Sequence, residues 1–412
     1  MIGHVGDTVA CRVCGGVVEA FLDLGAQPIS QRFRDPADGS PEVFFRLAVG
    51  QCGSCTMVQL CQEIPREEMF HEGYPFRSSG SRAMTGHFTA VAERFLETEL
   101  TGPDPFVVEI GCNDGVMLRT IRRAGVRHLG FEPSGDVAEA ARAAGVRVRG
   151  EFFEEATAAR AAEAEGPADV VYAANTVCHI PYLDSVLRGV DALLAPGGVF
   201  VFEDPYLGDV LARTAFDQIY DEHFYLFSAR SVRAAADRFG FELVDVERLP
   251  VHGGQVRYTL ARAGARRPAA AVAELLEEER SRGLTDEAVL RGFATRTARV
   301  RDELVAMLTA LRRDGSRVVG YAATAKSATL LNFCDIGPDL VPFICDTTPA
   351  KQGLVTPGKH IPVRPPGEFA RPYPDYALLF AWNHAEEIMS KEREFRRAGG
   401  RWLMYVPRVH VV

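Results

Sequence analysis

The sequence of 412 residues predicts an α/β protein in three parts: a metal-binding N-terminal lobe, a central doubly wound domain and a second, smaller α/β unit. Three observations carry that expectation. Two matched cysteine pairs lie near the N-terminus, strands and helices alternate from residue 106 onward, and the alternation restarts near residue 317. Such alternation builds a parallel sheet covered by helices. The length fits two or three domains. The divisions fall at 1–70, 71–245 and 246–412.

The first part rests on Cys11 and Cys14 in "CRVC" and Cys52 and Cys55 in "CGSC", with 37 residues between the pairs. Each pair can occupy a tight turn and offer two thiolates to one tetrahedral ion. Four thiolates close the shell, so a zinc ion held there is structural. The nine cysteines read as metal ligands or free thiols before disulfides. The first sixteen residues lack a secretory signal pattern, and no run of about 18 apolar residues could span a membrane. The expected location is the cytoplasm. A net charge of −9 offers no basic field to a nucleic acid. Only four of the 46 basic residues are lysines, beginning at Lys326, which draws attention to each. Residues 56–100 read as mostly helical.

The central part opens with "FVVEIGCNDG", a strand ending at Glu109, Gly111, Asn113 and Gly115. Ligands of doubly wound sheets bind outside the carboxyl ends of strands. Glu132 follows Gly111 by 21 residues, at the tip of the next strand with Pro133 and Ser134, where an acidic side chain takes two ribose hydroxyls. The dinucleotide pattern G-x-G-x-x-G is absent, so there is no pyrophosphate cradle to match. A nucleoside without a diphosphate fits better, which points to S-adenosylmethionine. Asn175, at the polar end of the strand "ADVVYAANTVCHI", is a further cofactor contact. Beyond the helix–turn–strand "YLDSVLRGVDALLAPGGVFVFEDP" comes "QIYDEHFYLFS", which gathers Tyr220, Asp221, Glu222, His223 and Tyr225. It is either a wet loop or a place where protons move. Two strands around "HGG" follow, then a long helical stretch over 268–313, then the second alternation.

The paired CxxC motifs, "LDLGAQPISQRF", "YPFRSSGS", "VVEIGCNDGVML", "FEPS", "YDEHFYLFS", "HGGQVR" and "GYAATAKSATLLNFC" occur in one order. In that combination the sequence resembles the S-adenosylmethionine-dependent C-methyltransferases of deoxysugar biosynthesis, over nearly its whole length. The resemblance implies a zinc-binding N-terminal domain, a central Rossmann-like methyltransferase domain and a C-terminal Rossmann-like domain, with a sugar nucleotide in the cleft between them. It further implies a monomer that methylates C3 of a TDP-4-keto-2,6-dideoxyhexose in antibiotic biosynthesis. Cys112, Cys178 and Ala322 depart from the small or plain residues expected at their positions.

Alkylating C3 needs a base, because the C4 ketone acidifies the C3 hydrogen, and it needs donors for the enolate oxygen in a dry cleft. His223 suits the base, with an unperturbed pKa near 6.5. Glu222 is its orienting partner, and Tyr220 meets the C4 oxygen. The resemblance places Tyr74 and His179 at the same cleft. Arg77, Ser79, Lys326 and Asn332 are the expected substrate contacts, Arg77 and Lys326 facing the diphosphate. Asp221 reads as solvated or structural. Two alternatives stand beside this: an NADPH-dependent 4-ketoreductase, alone or as a second activity, and a methyltransferase of RNA or protein.

Overall fold

The computed structural model describes residues 8–69 and 77–412. Its strands form three sheets. The first joins β1 (Thr8–Ala10), β2 (Val17–Pro28), β3 (Phe44–Cys52) and β4 (Val58–Leu60) in an antiparallel meander. β2 alternates outward residues with buried Val18, Ala20, Leu22 and Leu24, the period expected of a half-buried strand.

The central sheet contains β5 (Phe106–Ile110), β6 (Arg127–Phe131), β7 (Val148–Arg149), β8 (Ala168–Ala174) and β9 (Leu194–Pro205), all parallel. β5 is buried throughout, as a strand covered on both faces must be. A short strand, β10 (Tyr225–Leu226), then leaves this domain and pairs with β4, becoming the fifth strand of the N-terminal sheet. The chain returns through β11 (Phe241–Leu249) and β12 (Gln255–Arg262), and β12 is antiparallel to both β11 and β9. The central order is therefore β11-β12-β9-β8-β5-β6-β7, and its direction of winding reverses between β5 and β8. The division at 245/246 runs through β11. The central sheet extends to residue 262, because a hairpin cannot be cut without exposing its ladder.

The helices Ala270–Ser281 and Glu287–Arg313 lead to the last sheet. The second has 27 residues and spans about 40 Å. The last sheet contains β13 (Val318–Tyr321), β14 (Ile344–Cys345), β15 (Val363–Arg364), β16 (Tyr376–Leu379), β17 (Arg401–Met404) and β18 (His410–Val411). The order β15-β14-β13-β16-β17-β18 is parallel except for β18, a Rossmann-like arrangement with its switch point between β13 and β16.

The described residues of 56–100 are mostly helical, as expected, apart from β4 and the turns beside it. β4 and the single turn Arg66–Met69 precede the helix Arg82–Thr98. Ser81 caps that helix by accepting from the Met84 N–H, and Met84, Phe88, Val91, Ala92 and Phe95 make its buried face.

The N-terminal lobe and the central domain lock together around residues 221–226. Asp221 is buried, and its carboxylate accepts the Ser30 N–H at 3.2 and 3.3 Å, so its role is structural rather than solvated. The Leu60 N–H donates to the Phe224 carbonyl at 2.8 Å. Replacing Asp221 with Ala orphans a buried N–H and is expected to cost about 1–3 kcal/mol, with Asn costing less because it retains an acceptor. Urea denaturation of both variants measures this as a lower midpoint at unchanged slope.

Candidate active site

A cavity of about 270 Å³ opens where the carboxyl ends of the central and C-terminal strands meet the N-terminal lobe. Its central wall is the loop after β5. Gly111 has φ +67°, and a Cβ there would lie 2.4 Å from Thr176 Oγ1. Only glycine fits that combination. Asn113 and Asn175 also hold left-handed backbone, each with φ 49°. Both asparagines line the cavity with Gly111, Glu132 and Pro133. The Glu132 carboxylate accepts the Ser134 N–H at 2.9 Å and the Asn113 N–H at 3.1 Å, one on each oxygen. A carboxylate has about four acceptor sites, so both oxygens can still take a diol. Burial raises the Glu132 carboxyl above its usual range, and its two N–H donors oppose that. A bare backbone cradle, an acidic side chain and the apolar ring of Phe152 fit the nucleoside of S-adenosylmethionine.

Other expected cofactor residues act behind this wall. Gly115, φ +76°, caps the helix Val116–Arg123 against Val146. Ser134 is buried at the head of the helix Gly135–Ala143. Glu109 is buried under the loop, its carboxyl pushed well up by desolvation and then by Asp114 and Glu132. None of these three lines the cavity.

The proton-handling segment forms the floor. His223 is buried, and both its ring nitrogens are engaged. Nδ1 lies 2.7 Å from the Gln218 carbonyl, and Nε2 lies 2.7 Å from the Tyr220 hydroxyl. A carbonyl only accepts, so Nδ1 carries the hydrogen and Nε2 keeps its lone pair for Tyr220. Burial, then the neighbouring His179, lowers His223 well below the usual histidine range and keeps it neutral. The His179 ring stacks on it with centroids 5.2 Å apart and is itself lowered to about 3 by burial. Tyr220, pushed well up by burial and then by Glu222, remains a hydroxyl. Tyr220, Glu222, His223 and His179 share the cavity. Tyr74 lies outside the described residues.

The C-terminal wall was only partly foreseen. Lys326 lines the cavity, its Nζ 2.9 Å from Asn383 Oδ1, and burial lowers it to about 8. Lys351, His252 and His384 join it. The scarcity of lysine was a signal for Lys351, which donates to the Ala323 carbonyl at 2.8 Å. His252 sits in the "HGG" turn with φ 50°, and its carbonyl is held by Gln218 Nε2 at 2.8 Å.

Three expected substrate contacts lie elsewhere. Arg77 pairs with Asp136 at 2.5 Å, and the Ser79 N–H donates to Asp114 at 3.2 Å, so both brace the cofactor loop outside the cavity wall. The adjacent Ser78 does line it, and its N–H holds Asn113 Oδ1 at 2.9 Å. Asn332 spends its amide on the carbonyls of Ala328 and Pro357 and faces a separate groove. The first strand-to-helix turn of the C-terminal unit, "GYAATAKSA", lacks the dinucleotide glycine pattern that the ketoreductase alternative would need.

In the N-terminal lobe the sulfurs of Cys11, Cys14, Cys52 and Cys55 all lie within 4.8 Å of one another. Cys11 and Cys55 are 3.6 Å apart, Cys14 and Cys52 3.4 Å. A tetrahedral ion with metal–sulfur bonds of about 2.3 Å needs sulfur separations of roughly 3.8 Å. The N–H groups of Val13, Gly16 and Ser54 point at three of the sulfurs at 3.4 Å, suiting thiolates. The four residues fit a closed structural zinc site. No helix among the described residues is long and apolar enough to cross a membrane.

Comparison with known proteins divides the chain close to 70 and 245/246, as expected from the sequence, although β12 completes the central sheet. Residues 11–70 match a family described as a zinc binding domain, 84–246 a methyltransferase domain, and 250–407 a C-methyltransferase C-terminal domain. The C-methyltransferase NovU of Streptomyces niveus is 36% identical over 409 residues, covering 98% of this chain and 96% of its own. The ubiquinone biosynthesis O-methyltransferase of Escherichia coli is 31% identical over 100 residues, 23% of this chain and 41% of its own. Among solved structures, the magnesium protoporphyrin IX methyltransferase of Synechocystis PCC 6803 with bound S-adenosylmethionine is 12% identical. It covers 43% of this chain and 79% of its own, with a TM-score of 0.33.

Replacing Glu132 with Ala removes charge-assisted bonds each worth about 1.5–3 kcal/mol, so calorimetry is expected to show S-adenosylmethionine affinity falling at least roughly tenfold. Replacing Cys14 with Ser is expected to abolish the single bound zinc, measured by elemental analysis, and to lower the thermal midpoint.

Proposed function

Because the chain belongs to the S-adenosylmethionine-dependent C-methyltransferases that carry a zinc-binding N-terminal domain, we propose that it methylates C3 of a nucleotide-linked 4-keto deoxysugar. A TDP-4-keto-2,6-dideoxyhexose is the expected substrate. The observation that carries this is His223, buried and neutral beside Tyr220 in the cavity that also presents Glu132. A carbon next to a ketone becomes a nucleophile only after losing a proton, and this site holds a base and a donor 2.7 Å apart.

Bound S-adenosylmethionine supplies an electrophilic methyl group. The Gly111–Gly115 loop, Glu132 and Asn175 would hold it. His223 Nε2 takes the C3 proton, and the Gln218 carbonyl stabilises the imidazolium through Nδ1–H. When the Tyr220 hydroxyl turns to the C4 oxygen, it stabilises the enolate and frees Nε2 in the same movement. His179 shields that face from water. Lys326 provides a cation for the diphosphate, with the neutral imidazoles of His252 and His384 beside it as hydrogen-bonding groups. The four cysteines hold a structural zinc ion.

Mass spectrometry of the sugar nucleotide after incubation with S-adenosylmethionine tests the reaction. One methyl group is expected without NADPH, with the rate falling about 10²- to 10⁴-fold in His223→Asn. A gain of two hydrogens under NADPH, with no methyl transfer, would replace this reading by ketoreduction. The pH profile supplies a second check. Lys326 is cationic below about 8 and neutral above, so kcat/KM for the nucleotide sugar should fall about tenfold per pH unit beyond 8. Lys326→Met should lower it and remove that limb.

A further inference from the structure

The C-terminal Rossmann-like unit holds a side chain of the central domain at the place where such folds hold a ligand. Its switch point lies between β13 and β16. Trp382 follows β16 and Tyr405 follows β17. Trp382 Nε1 and the Tyr405 hydroxyl both donate to Asp217 Oδ2, each at 2.7 Å. Asp217 is fully buried, and Oδ1 has no hydrogen-bond partner among the described residues. Those two donors hydrogen-bond this carboxylate, and the Lys326 cation adds a charge attraction.

Asp217 belongs to the short turn Phe216–Gln218, which the C-terminal unit grips at further points. The Thr329 hydroxyl donates to the Ile219 carbonyl at 3.3 Å, and the Phe216 ring packs on Phe333 at 5.5 Å. The next residue, Gln218, supplies the carbonyl that fixes Nδ1–H of His223, and its side chain fixes the His252 carbonyl. The anchored carboxylate and the group that sets the imidazole tautomer thus belong to adjacent residues.

We propose that Trp382 and Tyr405 are positioning residues for the base: by holding Asp217 they place the Gln218 carbonyl that keeps His223 in its Nδ1–H tautomer. The second Rossmann-like unit then serves the reaction as a clamp whose ligand is Asp217. This inference rests on His223 acting as the base.

The test is Tyr405→Phe and Trp382→Phe, separately, in the full-length zinc-loaded protein. Imidazole 15N spectra of histidine-labelled protein, assigned by the signal lost in His223→Asn, report the tautomer without reference to turnover. Each variant is expected to turn the single Nδ1–H tautomer into a mixture and to lower kcat about tenfold or more. KM for S-adenosylmethionine should stay within about twofold, since Glu132 is remote from the change. Unchanged tautomer and kcat would overturn the proposal. So would a fall in kcat matched by loss of S-adenosylmethionine affinity, which marks general loosening. If either variant fails to fold, Asp217→Asn, which keeps shape and removes the charge, is read by the same two measurements. Methyl transfer that survives in His223→Asn would refute the base assignment instead, while the tautomer signal of Tyr405→Phe would still decide whether the clamp exists.

Discussion

The arrangement depends on a strand that one domain lends to another. β10 leaves the methyltransferase domain to pair with β4, the Phe224 carbonyl accepts the Leu60 N–H, and Asp221 closes on Ser30. Residues on either side of this seam cannot shift independently, because each broken bond would strand a buried backbone group. His223 lies inside the seam. The four-cysteine cluster lies just upstream of β4, so an ion that orders Cys52 and Cys55 also orders the strand on which the base segment rests. That gives the N-terminal lobe a structural role in positioning residues 220–223 of the central domain.

Burial supplies the second constraint. The cavity gathers His179, His223, His252, His384, Lys326 and Lys351. Desolvation lowers all six, and positive neighbours lower His223, His252 and His384 further, while Asp217 opposes the shift at Lys326, and Asp346 and Glu222 oppose it at Lys351. A neutral imidazole is the form a base requires, and a cavity biased toward positive charge suits an anionic nucleotide sugar. The same depletion of water would protect an enolate from reprotonation by solvent.

Much of this was legible in the sequence because local chemistry announces itself locally. Cysteine spacing marked the four-cysteine cluster, Gly111 and Glu132 marked one wall of the cavity, and crowding of titratable groups marked 220–223. Contacts made by topology left weaker traces. Asn332 sits in the same helix as Lys326, yet its amide is tied to the carbonyls of Ala328 and Pro357 and it lines a separate groove. Arg77 and Ser79 have the right chemistry but are taken by Asp136 and Asp114. The pairing of β12 with β9 also left no local trace, since a hairpin that returns to its sheet and a domain start look alike in sequence. Asp217, Trp382 and Tyr405 are far apart in the chain, and only the folded sheet brings them together.

Solvent deuterium exchange at C3 of TDP-4-keto-2,6-dideoxyhexose, followed by proton NMR in heavy water without a methyl donor, isolates the step assigned to this site. The account predicts enzyme-dependent loss of the C3 proton signal in the native protein, slowed at least about 100-fold in His223→Asn. Exchange that proceeds equally well in the variant, or methyl transfer without any exchange-competent base, would contradict it.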